Sequence, residues 1–433
     1  MPQTHDTSTT SSSQRAILIG VKLKTALMTE IEDSLEELKQ LTQTAGMETV
    51  CEIVQSRETL HPAYFIGQGK VEELKLLVQE LRAYAVVFDE DLTPAQTRNI
   101  ERALDVVAID RTGLILQIFA QRAQTREATL QVDLARLEYA LPRLTRMWSH
   151  LSRQTTGGGS GGRFSGAARG EGETQLQTDR RLIRREIARI KKALGSVEKQ
   201  RRIQRKSRED MASVSLVGYT NAGKSTLFNR LTGAKQLTED KLFATLDSTT
   251  RSVPLTDNHG IVLTDTVGFI KKLPHHLIAA FRATLEEICD AKLILHVVDV
   301  SHPQAEAQID AVNEVLDELS AARITTLMLF NKVDCLEDEA RLCLLQNQYP
   351  ESVAISARHG DGLETLKAQL VDRCAENRQE VWFTLPYTEG KTLDFLYKNG
   401  EVLETDYQGD AVLVKARIAQ RFLQKLRQFV SQS

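Results

Sequence analysis

Over the first 110 or so residues, short apolar runs alternate with segments of helical period. Ala16–Val21 (AILIGV) is apolar throughout and reads as a buried strand, while Met28–Thr44 is charged and amphipathic and reads as a helix. Val50–Val54, Ala85–Phe88 and Val106–Ile109 continue the strands, with Gly69–Leu81 and Thr93–Leu104 as helices between them. Strands and helices in alternation build a largely parallel sheet, so residues 15–112 predict an α/β domain. Ahead of it, residues 1–14 read as a disordered, Ser/Thr-rich tail without the apolar run of a secretory signal.

The period changes in the middle of the chain. Leu130, Leu134, Leu137, Leu141, Leu144 and Trp148 step by four and three, and Ile183, Ile187, Ile190, Leu194 and Val197 do the same. That is the spacing of a helix-packing seam. A glycine-rich stretch, Thr155–Glu173, separates the two. Matched seams around a flexible tip predict an antiparallel helical hairpin over 113–210, kinked at Pro142, where a helix hydrogen bond is missing. A second α/β pattern fills 211–375. Beyond it, Val381–Leu385, Val402–Thr405 and Ala411–Ala416 read as strands, Lys391–Lys398 as a helix and the last residues as another. Residues 376–433 are therefore a small α+β module, and the whole is a multidomain α/β chain.

At 433 residues the chain exceeds one ordinary core, and 41% hydrophobic content is enough to bury several. Cys51, Cys289, Cys335, Cys343 and Cys374 are scattered with no C-x-x-C pair, which predicts reduced, mostly buried thiols and no disulfide framework or zinc site. No stretch approaches the ~20 apolar residues of a membrane span. The expected location is the cytoplasm, with peripheral attachment to a membrane as the alternative. Nothing in the hairpin requires a dimer, so a monomer is expected.

The net charge of −3 points to no partner class but hides a local excess, since Arg180–Arg208 carries 13 Lys/Arg against two acids. Such a helix neutralises several backbone phosphates and suits RNA. The candidate RNA contacts are Arg143, Arg146 and Arg153 on the first arm, Arg163 and Arg169 at the tip, and Arg180, Arg181, Arg184, Arg185, Lys191 and Lys192 on the second. Trp148 is available to stack on an unpaired base. A solvated charged face is the other reading of the same run.

The chemistry sits in 211–375. The strand Val214–Val217 enters Gly218, Tyr219, Thr220, Asn221, Ala222, Gly223, Lys224 and Ser225, a full G-x-x-x-x-G-K-[ST] match followed by a helical pattern from Thr226. Backbone N–H groups of such a loop cradle phosphate, its lysine reaches the β- and γ-phosphates, and its serine hydroxyl binds Mg²⁺. Ile261–Thr264 ends at Asp265-Thr-Val-Gly268, where Asp265 is placed to hold Mg²⁺ through water and the Gly268 N–H to sense the γ-phosphate. Leu327–Phe330 leads into Asn331-Lys332-Val333-Asp334. Asp334 can accept guanine N1–H and the exocyclic amine, a pairing that adenine does not offer. Ser356 and Ala357, after the strand at Val353, supply a loop whose N–H meets guanine O6. Taken in order, these motifs predict GTP and GDP binding, GTP hydrolysis and Mg²⁺ as cofactor.

A switch loop is expected at Leu242–Arg251, with Thr245 as the first candidate to close over Mg²⁺ and the γ-phosphate and Thr249 as the alternative. Lys224 and Thr245 are the catalytic candidates. Phe269 follows Gly268, where many small GTPases carry a glutamine that orients water. An apolar side chain predicts a slow intrinsic reaction completed by a partner. His275 and His276 are nearby alternatives, more simply read as solvent-facing.

Segments within and beyond these motifs resemble the HflX family of translational GTPases. They are Asp110–Phe119, Gln131–Tyr139, Leu141–Thr145, Gly170–Leu176, Gly218–Ser225 and Leu242–Asp247, and the likeness spans about residues 15–375. Ser248 departs from the pattern, which has proline there. The resemblance implies binding to the 50S subunit and the 70S ribosome, and contact with 23S ribosomal RNA near the peptidyl transferase centre. It also implies ribosome-stimulated hydrolysis and the splitting of stalled ribosomes under stress. The rival readings are a ribosome-assembly GTPase, an RNA-binding adaptor that nucleotide merely stabilises, and an ATP-driven RNA-remodelling enzyme. The last would use the N-terminal domain, whose Gly67-Gln-Gly-Lys70 is only a partial phosphate-loop match.

Overall fold

The computed structural model describes residues 14–24, 27–154, 167–206, 211–234, 241–256, 259–272, 277, 281–374, 378–409, 411–419, 422–423 and 426–431, with 144–154, 167–176, 198, 200–206, 256, 259, 282–284, 378–379, 398–399, 408 and 419 given by backbone alone. The chain divides into two compact units. One holds Met1–Gln204 with Glu239–Asp247 and Lys272–Ala283, and the other holds Arg205–Thr238, Ser248–Lys271 and Thr284–Ser433.

The first unit begins with β1 (Gln14–Leu23), α1 (Met28–Thr44), β2 (Met47–Arg57), α2 (Gln68–Leu81), β3 (Ala85–Phe88), α3 (Pro94–Leu104) and β4 (Val107–Asp110). The strands pair in parallel in the order β2-β1-β3-β4. Ala16–Ile19 and Ala85–Phe88 are buried along their whole length, as a parallel sheet covered on both faces requires. Ile31, Leu35, Leu38 and Leu41 form the inner stripe of α1. Thr93 and Gln96 form a reciprocal capping box that starts α3. The helix α4 (Arg111–Arg122) is capped by Asp110, which accepts from the Gly113 N–H at 2.8 Å, and it packs on α1, β3 and β4. This layer therefore runs to about residue 122, beyond the 112 limit expected from sequence.

Charged groups gather where β3 and β4 end. Arg111, only 2% exposed, pairs with Asp89 at 2.8 Å and also with Glu37. Lys272 reaches Asp89 at 2.5 Å and Glu90 at 2.6 Å. The ring of Phe119 on α4 meets Phe243 edge-on at 4.8 Å and Phe281 at 5.0 Å.

Two long helices follow, α5 (Arg126–Gln154), which contains Pro142, and α6 (Ala167–Lys206). Thr125 caps α5 through its hydroxyl to the Ala128 N–H at 3.1 Å, and Asp247 accepts from the Gln124 and Thr125 N–H groups at 3.2 Å each. Ile190 is buried while its neighbours Arg189, Lys191 and Lys192 are exposed, and Lys191 reaches Glu138 of α5 at 2.8 Å. The stretch expected to be flexible as far as Glu173 is helical from Ala167. Alanine, arginine and glutamate there offset the cost of Gly170 and Gly172, about 1 kcal/mol each. Residues 155–166 lie outside the described residues.

The second unit contains β5 (Ala212–Gly218), α7 (Lys224–Thr232), β6 (Thr249–Thr256), β7 (His259–Asp265), α8 (Arg282–Cys289), β8 (Leu293–Asp299), α9 (Ala305–Glu318), β9 (Thr326–Asn331), α10 (Glu339–Gln348), β10 (Val353–Ala354) and α11 (Leu363–Cys374). Its sheet runs β10-β9-β8-β5-β7-β6, parallel except for β6, which pairs antiparallel with β7. Leu216, Leu295, Val297 and Leu329 pack against Phe228 of α7 and Leu366 and Leu370 of α11. This core holds the strand ends that carry the nucleotide motifs.

The C-terminal module has β11 (Arg378–Pro386), α12 (Gly390–Asn399), β12 (Gly400–Gln408) and β13 (Ala411–Ala419) in an antiparallel sheet ordered β11-β13-β12. Phe383, Leu396, Val414 and Ile418 form its core. Phe422, Leu423 and Leu426 are helical, in the stretch where sequence suggested a helix to the end, and a 3₁₀ turn at Arg427–Phe429 then leads Val430 onto Phe383 as an isolated bridge. The cysteines also differ from expectation, since Cys374 is buried and Cys51 half-buried but Cys289, Cys335 and Cys343 are exposed. They occupy outer helix and turn positions. No helix among the described residues is long and apolar enough to cross a membrane.

Candidate nucleotide site

β5 delivers the chain into the phosphate loop and α7 leaves from it at Lys224. Gly223 takes φ +94°, and a β-carbon there would stand 2.2 Å from Asn331 Nδ2. Only glycine fits that turn. Lys224 is buried, and its Nζ donates to the carbonyls of Gly218 at 3.0 Å and Tyr219 at 2.7 Å. Burial pulls its pKa down to about 8, opposed by the negative charge of Asp265.

Ser225 Oγ donates to Asp265 Oδ2 at 2.7 Å, and Asp265 is wholly buried at the end of β7. A hydroxyl and a carboxylate brought together at the loop form a hard-oxygen donor pair that fits Mg²⁺. Thr249 opens β6 directly opposite Asp265 in the ladder. Thr245 is half-buried in the 239–247 segment that clusters with the first unit.

The loop after Asp265 is hydrogen-bonded to the phosphate loop. Thr220 N–H donates to Phe269 O at 2.7 Å, Phe269 N–H to Gly218 O at 3.1 Å, and Lys271 N–H to Tyr219 Oη at 2.8 Å. Phe269 is 2% exposed, so its ring is part of the packing while its backbone binds the loop. His275 and His276 lie outside the described residues.

The base end is organised by Asn331. Its Nδ2 donates to Ala222 O at 2.8 Å and its Oδ1 accepts the Ala357 N–H at 2.9 Å. Asn331 therefore ties the phosphate loop to the loop after β10, and the Ala357 N–H, within the loop expected to meet guanine O6, is engaged with it here. Lys332 Nζ pairs with Asp299 Oδ2 at 2.6 Å. The Ser356 hydroxyl bonds Asp334 and holds its carboxyl below the usual range, burial opposing the shift. Motif spacing gave no sign of His296 on β8, which is buried and whose pKa falls to about 3, first through desolvation and then through the charge of Lys224. Nor did it single out His359, whose Nε2 stands 3.6 Å from Asp334 Oδ2.

Three family models cover the chain in succession. They are a GTP-binding GTPase N-terminal region over residues 32–120, a GTP-binding GTPase middle region over 122–208 and a 50S ribosome-binding GTPase over 213–332. GTPase HflX of Caldanaerobacter subterraneus subsp. tengcongensis is 42% identical over 419 residues, 96% of this chain and 94% of that relative. GTPase HflX of Escherichia coli is 47% identical over 372 residues, 85% of each. The chain belongs to the HflX family. It is a GTP hydrolase. A solved GTP-binding protein of Sulfolobus solfataricus in complex with GDP aligns with a TM-score of 0.44 at 23% identity, covering 84% of this chain and 99% of that one.

In this HflX chain the basic residues of the hairpin do not form one set. Arg180, Arg181, Arg184 and Arg185 line an open concavity of about 670 Å³ on α6, and Lys192 is exposed beyond it. Arg143 is held within the first unit, paired with Asp110 at 2.7 Å, donating to Leu92 O at 3.1 Å and lying 3.4 Å over the Tyr139 ring. In this structure its guanidinium is engaged within the first unit. The side chains of Arg146, Trp148, Arg153 and Arg169, and all of Arg163, lie outside the described residues. Gly67 is the N-cap of α2 and Lys70 pairs with Glu73 at 2.7 Å, so the partial motif of the N-terminal domain forms a helix start.

Proposed function

We propose that this GTPase binds the 50S subunit and the 70S ribosome, meets 23S ribosomal RNA through α6, and couples GTP binding and hydrolysis to the splitting of stalled ribosomes. The observation that carries the reading is the outer face of α6. Arg181, Arg184, Arg185 and Lys192 are exposed there, opposite the inward Ile183, Ile187 and Ile190, in the same chain as a guanine-nucleotide site. A one-sided row of cations on a packed helix suits phosphate-backbone contact. The family model described as a 50S ribosome-binding GTPase supports the same partner.

In the reaction, Lys224 exchanges the Gly218 and Tyr219 carbonyls for phosphate oxygens and stabilises charge as water attacks the γ-phosphate in line. Asp334 selects guanine, and the Gly268 N–H reads the γ-phosphate. Ser225 and Asp265 would hold Mg²⁺, with Thr245 or Thr249 completing the set, and the ion neutralises phosphate charge when bound. Phe269 offers no group to orient the water, so a ribosomal group completes the site.

The test is GTP turnover alone, with 50S subunits and with 70S ribosomes, using ATP and Lys224→Ala as controls. A slow basal rate raised at least tenfold by particles, and lost in the variant, is the expected result. Equal rates with and without particles overturn the reading. Co-sedimentation with immature particles alone would indicate assembly instead of splitting.

A further inference from the structure

Asp334 has a neighbour that base recognition does not require. His359 lies in a tight loop after β10, where Gly360 and Gly362 take φ +101° and +74° and the Ser356 N–H donates to Asp361 O at 3.0 Å. The His359 N–H donates to Ser356 Oγ at 3.1 Å, Ser356 bonds the Asp334 carboxylate, and His359 Nε2 ends 3.6 Å from Asp334 Oδ2. The imidazole is 58% exposed, so protons reach it freely.

The other ionisable groups around Asp334 do not compete in the same way. Lys332 is engaged by Asp299 at 2.6 Å. The Cys335 thiol donates to Asp334 Oδ2 at 3.4 Å, and that bond raises its pKa, so it stays neutral at acid and neutral pH. Among the described residues, His359 is the imidazole that faces Asp334.

We propose that His359 is a positioning residue that makes guanine recognition acid-sensitive. As imidazolium it draws Asp334 Oδ2 to itself, and as neutral imidazole it leaves both oxygens to guanine N1–H and the exocyclic amine. The inference rests on the assignment of guanine specificity to Asp334. The size of the effect is that of one partly exposed charge pair.

The experiment is calorimetric titration with GDP at pH 5.5 and pH 8.0 of the unaltered protein, H359Q, H359K and D334N. Acidification weakens GDP binding to the unaltered protein about threefold more than to H359Q. Protonation of the nucleotide phosphate is common to both and cancels in the comparison. H359K, which carries the charge permanently, binds GDP about threefold more weakly than H359Q at pH 8.0. Equal pH ratios for the unaltered protein and H359Q, or equal affinities of H359K and H359Q, overturn the proposal. Full GDP affinity in D334N at pH 8.0 would instead overturn the guanine assignment beneath it.

Discussion

Gly268 lies against Lys224, since a β-carbon at position 268 would stand 3.1 Å from Lys224 Nζ and 2.9 Å from Thr220 Cα. The loop expected to sense the γ-phosphate thus approaches the phosphate loop more closely than a side chain at 268 permits. Gly268→Ala should displace it from the γ-phosphate position, and misplacement near 1 Å costs roughly 100-fold. Single-turnover GTP hydrolysis should fall by about that factor, while GDP affinity, which does not use this contact, changes far less.

Lys224 gives a pH signature. Its pKa is lowered from 10.5 to about 8 by burial, and bound phosphate favours the charged form, so nucleotide affinity should decline as pH rises through 8. Binding at pH 8.5 should take up protons, detected as a dependence of the calorimetric enthalpy on buffer, and Lys224→Ala should abolish the uptake. Without nucleotide the sign reverses. The unfolded chain holds this proton up to about 10.4, so stability should rise between pH 8 and 10.4, by at most about 3 kcal/mol.

Asn331→Ala removes two hydrogen bonds at once and leaves the Ala222 carbonyl and the Ala357 N–H without their partner. The cost should be about 2–4 kcal/mol of stability, read as a lower denaturant midpoint. GDP affinity should fall with it, because both loops carry the residues expected to hold the nucleotide.

Arg181, Arg184 and Arg185 can be replaced together by alanine without disturbing the buried side of α6. If each neutralises one RNA phosphate, the slope of log affinity for ribosomal RNA against log salt should flatten by about 2–3. An unchanged slope would remove this face from the interface.

Much of the fold was legible because burial leaves a mark on composition. Ala85–Phe88 is apolar on both faces and became a central strand, and the amphipathic Met28–Thr44 became α1 with the same limits. The Gly218–Ser225 and Asn331–Asp334 motifs were legible for another reason, since phosphate wrapping and base selection demand particular residue types. β6 was not, because Thr249–Thr256 is polar and pairs only along one edge of the sheet. Nor was the use made of Phe269, whose contribution comes through backbone N–H and C=O groups that every residue carries. The Asp110 pairing of Arg143 was not legible, because a guanidinium looks the same in sequence whether it meets RNA or a carboxylate.

The aromatic contacts of Phe119 also bear on how this chain can be made and cut. Two rings that meet it edge-on, Phe243 and Phe281, come from beyond residue 240, long after the ribosome has released the segment that contains it. During synthesis the N-terminal layer must wait, with the part of this apolar ring that they meet uncovered, until more than half of the polypeptide exists. A protein truncated at residue 210 would stay in that state permanently, and self-association, not a clean monomer, is what it should display.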